Sequence, residues 1–363
     1  MDIRLENVLE YEQPTKYIVK SENYSDDFAL PVLTAGKSFV LGFTDETDGI
    51  CKASESPVII FDDFTADCKY VDFDFKVKSS AIKILHKANA EDNLKYYFYA
   101  MQAIDYTPFS HKRVWISEYS KFKIENRSVA EQNNIVKDLD TVATAIDNAK
   151  QRLNALDELV KSRFIEMFGD PITNSKNLPE LTLPELGEFG RGVSKHRPRN
   201  APELLGGKYP LIQTGEVANA ELYINGYTNT YSELGYKQSK MWKAGTLCIT
   251  IAANIAKTGI LSFDACFPDS VVGFHANEKT NNIFIHFWFT FFQEILEAQA
   301  PASAQKNINL RILSELKVIV PPIELQNEFA DFVKLTDKSK FIVQKQIEDL
   351  QELLDSKMDE YFG

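Results

Sequence analysis

The chain has 363 residues, 44% hydrophobic and 25% charged, enough for a sizeable core and for two domains. Its net charge of −12 and isoelectric point near 5.1 argue against non-specific nucleic-acid binding, which rests on a broad positive field. They leave room for a local basic patch and for a basic protein partner.

Cys51, Cys68, Cys248 and Cys266 form no CxxC pair and have no histidine at metal-ligand spacing, so structural zinc is not expected and a reducing compartment is. The first residues, MDIRLENVLEYEQ, lack an apolar signal region, and the most apolar run, Asn282 to Phe292, is too short to span a bilayer. These features point to a soluble cytoplasmic protein.

The first globule covers residues 1–130. Val58 to Phe61 and Tyr70 to Val77 read as strands, and Asn93 to Ile104 as an apolar-faced helix. Residues 131–170 follow a different rhythm. Ile135, Leu139, Val142, Ile146, Ala149, Leu153, Leu156, Val160, Phe164 and Met167 alternate four and three apart, the a/d pattern of a coiled coil. Gly169-Asp170-Pro171 stops this helix. The second globule, 171–322, holds a strand at Thr246 to Ile251 and a helix at Asn282 to Ala298. Pro321-Pro322 then marks the start of a second heptad helix, 323–363, seamed by Phe329, Val333, Thr336, Lys340, Val343, Ile347, Leu350, Leu354, Met358 and Tyr361. Each helix spans roughly 35 residues, about 50 Å at 1.5 Å per residue. Thr336 and Lys340 place polar groups on the seam, a device that costs stability and fixes register.

The two halves repeat. Gln132-Asn133 falls on Gln326-Asn327, and Ser162, Glu166, Phe168 and Gly169 fall on Ser356, Glu360, Phe362 and Gly363, all 194 residues apart. Leu5, Val8, Glu10 and Tyr11 match Leu183, Leu186, Glu188 and Phe189 more weakly. The expected class is α+β: two mixed α/β globules separated by a pair of long antiparallel coiled-coil helices, with pseudo-twofold internal symmetry. The plainer alternative is two amphipathic helices packed into separate domains.

Two variable globules, each followed by a helix beginning Ser128-Val-Ala-Glu-Gln-Asn-Asn-Ile135 or Val320-Pro-Pro-Ile-Glu-Leu-Gln-Asn-Glu-Phe329, resemble the specificity subunit of type I restriction-modification systems. Phe61-Asp-Asp-Phe-Thr65 followed by Lys78 to Leu85 is similar to one type of target-recognition domain in that family, and Tyr209 to Gly215, Lys257-Thr-Gly259 and Gln305 to Asn309 resemble its other landmarks. The first helix departs from the pattern, with Arg127 to Glu131 where the second has Pro321-Pro322. The resemblance implies a non-catalytic subunit. Its two target-recognition domains would each read half of a bipartite site on double-stranded DNA, held apart by the helices. Two methyltransferase subunits, and then restriction subunits, would dock on the scaffold. No cofactor, metal or membrane is implied.

Catalytic signatures are missing. Adenine methyltransfer needs Asn/Asp-Pro-Pro-aromatic, whereas Pro321-Pro322 lies in Val-Pro-Pro-Ile. Gly187-Glu-Phe-Gly-Arg-Gly192 is followed by a basic, proline-broken stretch instead of a helix. Asp62 and Asp63 lack a matching Glu-x-Lys and are expected at a solvated or partner-facing surface. The alternatives are a coiled-coil scaffold that binds no DNA and a stand-alone modification enzyme.

The leading DNA-contact candidate is the loop with Arg191, Lys195, Arg197 and Arg199, four permanent charges among glycine and proline. Thr214, Asn254, Lys257 and Thr258 are expected in polar turns placed as in the family. Gln305, Lys306 and Asn307 follow, since amides pair with adenine, and His111, Lys112 and Arg113 stand at the matching place in the first globule. Lys16, Tyr17 and Thr34 complete the set.

Overall fold

The computed structural model describes residues 2–34, 38–108, 113–252, 255–299 and 309–363, with only the backbone at 294–299. The chain divides into two compact units, Met1–Gln151 with Gln344–Gly363, and Arg152–Val343.

The first unit contains β1 (Asp2–Arg4), β2 (Leu9–Glu12), β3 (Leu30–Leu33), β4 (Val40–Thr44), β5 (Val58–Asp62), β6 (Cys68–Val71), β7 (Lys76–Val77), β8 (Ile82–Lys87), α1 (Leu94–Gln102), α2 (Val114–Ser117), β9 (Lys123–Glu125) and the start of α3 (Val129–Phe168). One antiparallel sheet has the order β2-β8-β5-β6; a second has β4-β3-β7, with β3 and β7 parallel; β1 and β9 form a ribbon. Successive strand residues face opposite ways. In β5, Ile59 and Phe61 enter the core beneath α1, while Val58 and Ile60 enter a separate cluster with Val77 and Phe75. That double burial explains an uninterrupted apolar strand.

The second unit contains the end of α3, then β10 (Glu180–Thr182), α4 (Leu183–Leu186), β11 (Gly187–Arg191), β12 (Leu205–Leu211), α5 (Thr214–Ala218), β13 (Tyr223–Ile224), β14 (Asn229–Tyr231), α6 (Glu233–Lys237), β15 (Met241–Trp242), β16 (Leu247–Thr250), β17 (Thr258–Leu261), β18 (Ala265–Cys266), β19 (Val271–Ala276), α7 (Asn282–Gln299), α8 (Leu310–Glu315), β20 (Lys317–Ile319) and the start of α9 (Ile323–Phe362). Its sheets run β11-β19-β16-β17-β13 and β14-β12-β18-β15, with a β10–β20 ribbon. The order β11-β19-β16-β17 is that of β2-β8-β5-β6. Likewise β12 pairs antiparallel with β14 and parallel with β18, as β3 does with β4 and β7.

Both long helices have 40 residues, longer than the heptads outline. The first lacks the proline pair and begins instead with a capping box: Ser128 N and Oγ donate to Glu131 Oε2 at 2.9 and 2.6 Å, and Glu131 N donates back to Ser128 Oγ at 3.4 Å. Gly169 ends it in the left-handed region, φ +77°, donating to Ile165 O. Each unit holds one end of each helix. In the first, Ile135 and Leu139 of α3 share a core with Leu354 and Met358 of α9. In the second, Phe164 and Phe168 pack edge-on against Phe329. Of the polar seam residues, Thr336 donates to Phe332 O, and Lys340 Nζ lies 2.8 Å from both Asp157 and Glu221.

Two local expectations are corrected. Tyr70 to Val77 is not one strand: β6 ends at Val71, and the chain crosses to the other sheet before β7. Asp74 holds that crossing, accepting from Ser54 N and Oγ and pairing with Lys52. Asp62 and Asp63 are buried, 4% and 6% exposed. Asp62 accepts from Phe64 N and Thr65 Oγ1; Asp63 pairs with Lys83 and accepts from Trp115 N. Their charges serve the turn and the packing beneath it.

Candidate nucleic-acid interface

The basic loop leaves β11 at Arg191 and runs against the segment Phe267 to Val271. Gly192 N donates to Val271 O at 2.9 Å, and Val193 N to Phe267 O at 3.1 Å. A Cβ at position 192 would collide with the carbonyl oxygens of Phe267 and Pro268, so the close approach requires glycine. Gln238 Oε1 accepts the backbone N–H of Lys195 and of His196, at 2.6 and 3.0 Å. The stretch Gly187–Arg191 is a strand paired with β19, not a cofactor-cradling turn into a helix.

The four cations of the loop differ. Arg197 Nη2 and Arg199 Nη2 lie 3.5 and 2.5 Å from the two carboxylate oxygens of Asp269. Arg197 Nη1 also donates to the carbonyls of Ser194 and His196, at 2.6 and 2.8 Å. Arg191 and Lys195 are exposed, and their side chains form no ion pair among the described residues. The loop therefore presents two unpaired cations and two carboxylate-held guanidinium groups.

The other candidates are scattered. Thr214 opens α5 half-buried, behind a Gln213–Glu216 capping box. Lys257 Nζ donates to Gln293 Oε1 at 3.0 Å. Thr258 does not sit in an exposed turn: it lies on β17, 6% exposed, with Oγ1 2.9 Å from Nδ1 of buried His286. Burial pushes the His286 imidazole down to about 4, so it is neutral at pH 7. Asn254, Gln305, Lys306, Asn307, His111 and Lys112 lie outside the described residues. Arg113 is exposed, in the left-handed region at φ +50°, immediately before α2. Lys16 pairs with Glu12 at 2.6 Å and lies 4.8 Å from the centre of the Tyr17 ring. Burial raises the Tyr17 hydroxyl pKa. Thr34 N donates to Phe39 O.

Sequence reasoning finds in Gln132 and Gln326 only repeat markers. Each is buried, 1% and 0% exposed, and joins a long helix to the sheet-bearing part of its unit. Gln132 accepts from Asn93 N and donates to Arg127 O; Asn93 Nδ2 donates to Asn133 Oδ1. Gln326 accepts from Asn281 N and Thr280 Oγ1 and donates to Lys279 O and Pro321 O; Asn281 Nδ2 donates to Asn327 Oδ1. Asn93 and Asn281 also accept from backbone N–H groups at the starts of α1 and α7. The signal in the sequence is a Gln-Asn pair in each long helix and an asparagine opening each earlier helix.

A family model described as the Type I restriction modification DNA specificity domain matches residues 180–352. The chain is also 31% identical, over 389 aligned residues, to the EcoR124I/EcoR124II type I restriction enzyme specificity subunit of Escherichia coli, covering 98% of this chain and 91% of that one. The chain belongs to the type I restriction-modification specificity subunits. Its role is that of the family, recognition of DNA sequence. A more distant relative is the putative type I restriction enzyme MjaX specificity subunit of Methanocaldococcus jannaschii, 21% identical over 250 residues, 65% of this chain and 57% of that one. The S subunit of a type I restriction-modification system from M. genitalium shares the fold at a TM-score of 0.58 and 14% identity, over 100% of this chain and 96% of that one. So does a chain from a structural study of complex assembly and conformational transition of the type I R-M system, at a TM-score of 0.55 and 14% identity, over 100% and 97%. No helix among the described residues of this specificity subunit is long and apolar enough to cross a membrane.

Proposed function

We propose that this specificity subunit reads a bipartite site on double-stranded DNA and catalyses no reaction itself. Residues 1–130 and 171–322 each read one half-site. Residues 131–170 and 323–363 form an antiparallel helix pair that sets the distance between them. A fixed protein spacing then fixes the half-site spacing. Two methyltransferase subunits dock on this scaffold and methylate adenine, and restriction subunits join them.

The observation that carries the reading is the matched strand order and matched Gln–Asn junction in the two units. The helix ends support it. Tyr361 Oη donates to Asp138 Oδ2 at 2.8 Å in the first unit, and Arg163 pairs with Glu328 at 3.0 Å in the second. Both contacts join opposite ends of α3 and α9, as an antiparallel pair requires.

The proposed DNA-contacting parts of the second unit are the basic loop that carries Arg191, Lys195, Arg197 and Arg199, with Thr214, Asn254, Lys257, Gln305, Lys306 and Asn307. In the first they are His111, Lys112 and Arg113, with Lys16, Tyr17 and Thr34. Thr258 is buried on β17 against His286, so it is not proposed as a direct contact. Co-purification tests the assembly: the chain is expected to bring down a methyltransferase subunit and, with it, DNA carrying a bipartite site. Recovery of neither would leave a scaffold that binds no DNA. The purified chain, given S-adenosylmethionine and DNA, is expected to transfer no methyl group.

A further inference from the structure

We infer that Asp269 is a positioning residue that divides the labour of the basic loop. Arg199 is held to read a base edge, Arg197 staples the loop, and Arg191 and Lys195 meet phosphates. The inference rests on the proposed role of this loop in DNA recognition and goes beyond it by assigning each cation.

The guanidinium groups are used differently. Arg197 folds back onto its own loop, with Nη1 between the carbonyls of Ser194 and His196 and Nη2 toward Asp269. It is occupied as a loop former. Arg199 touches Asp269 through Nη2 alone, and its remaining donors have no partner among the described residues. Its side chain is 45% exposed, against 31% for Asp269. An arginine fixed at one nitrogen keeps a planar fork free. Such a fork matches the O6 and N7 acceptors of guanine in the major groove.

The platform beneath is built. Asp269 sits on the segment whose carbonyls, at Phe267 and Val271, take the N–H groups of Val193 and Gly192. Gln238 fixes the loop from another side through the N–H groups of Lys195 and His196, and Ser239 Oγ donates to Val193 O. A loop serving phosphates alone gains nothing from a carboxylate, because Asp269 repels them. A loop that places a guanidinium does gain, because the ordering cost is met before DNA arrives.

The sign of the Asp269→Asn effect therefore separates the two roles. Variants D269N, R199K, R191A and K195A would be assembled with the methyltransferase subunit, checked by circular dichroism, and assayed on DNA substituted at each position of the site. R199K keeps the charge and loses the fork, so it carries the test if D269N folds poorly. D269N and R199K are expected to lower discrimination about 10-fold at the same single position of one half-site, and to leave the other half-site unchanged. R191A and K195A are expected to reduce the salt dependence of binding by about one counterion each, with unchanged base preference. If D269N tightens binding to all sequences equally and base preference stays put in both D269N and R199K, while R191A and K195A still reduce the salt slope, the loop meets DNA and the assignment of Asp269 and Arg199 is wrong. If none of the four changes salt slope or preference, the DNA role of the loop itself fails.

Discussion

Gln132, in the first turn of α3, accepts the backbone N–H of Asn93, 2.9 Å away, at the residue that opens α1. Gln326 and Asn281 stand in the same relation at the start of α9. Both glutamines are buried, and truncation leaves their partners, most of them at least half-buried, without a hydrogen bond. At about 1–3 kcal/mol per stranded group, Gln132→Ala, which frees Asn93 N and Arg127 O, is expected to cost about 2–6 kcal/mol. Gln326→Ala frees Asn281 N, Thr280 Oγ1, Lys279 O and Pro321 O and should cost more. Urea unfolding followed by hydrogen exchange measures the cost and its location. Equal, sub-kilocalorie losses would show that the junctions carry no stability.

The Asp63–Lys83 pair provides a second test. Their charged atoms lie 2.7 Å apart with side chains only 8% and 6% exposed. Lys83→Met leaves a buried carboxylate without its counter-charge and is expected to destabilise by about 3–5 kcal/mol. Adding Asp63→Asn should recover much of that loss, because the amide oxygen still accepts from Trp115 N. Denaturation midpoints of the three variants decide it.

These two sites show what the sequence can reveal. The long helices are legible because heptad spacing is local, and so is the glycine that ends the first; the capping box that starts it shows only in the structure. The burial of Asp62 and Asp63 is not. An acidic pair looks solvated until Lys83 and Trp115, distant in sequence, are folded against it. Arg197 and Arg199 look like free phosphate ligands for the same reason, since Asp269 is brought to them only by the fold. Thr258 looks like a turn residue because its partner His286 belongs to a helix later in the chain. Tyr70 to Val77 has strand composition throughout, yet composition does not say which sheet each part joins.

His286 predicts a pH dependence. Its imidazole titrates near 4 when folded, against an ordinary value of 6.5. The unfolded chain thus binds the extra proton between these values, and stability falls as pH drops from 6.5 toward 4. The slope from this group approaches about 1.4 kcal/mol per pH unit. His286→Gln should flatten the curve between pH 5 and 6.5 relative to the parent protein. Parallel curves would assign the acid sensitivity elsewhere.

The proposed helix pair predicts a ruler. Inserting one heptad into each adds about 10 Å of helix. The DNA spacer between half-sites is expected to lengthen while the half-sites themselves stay the same. An unchanged spacer, read from methylated sites, would show that the helices do not set the distance.

Mapping adenine methylation across the genome in cells with and without this gene tests the central claim most directly. The account predicts a bipartite motif, two short specified half-sites around an unspecified spacer, that is methylated when the gene is present and unmethylated when it is deleted. An identical methylation pattern in both strains, with the partner methyltransferase expressed, would contradict it.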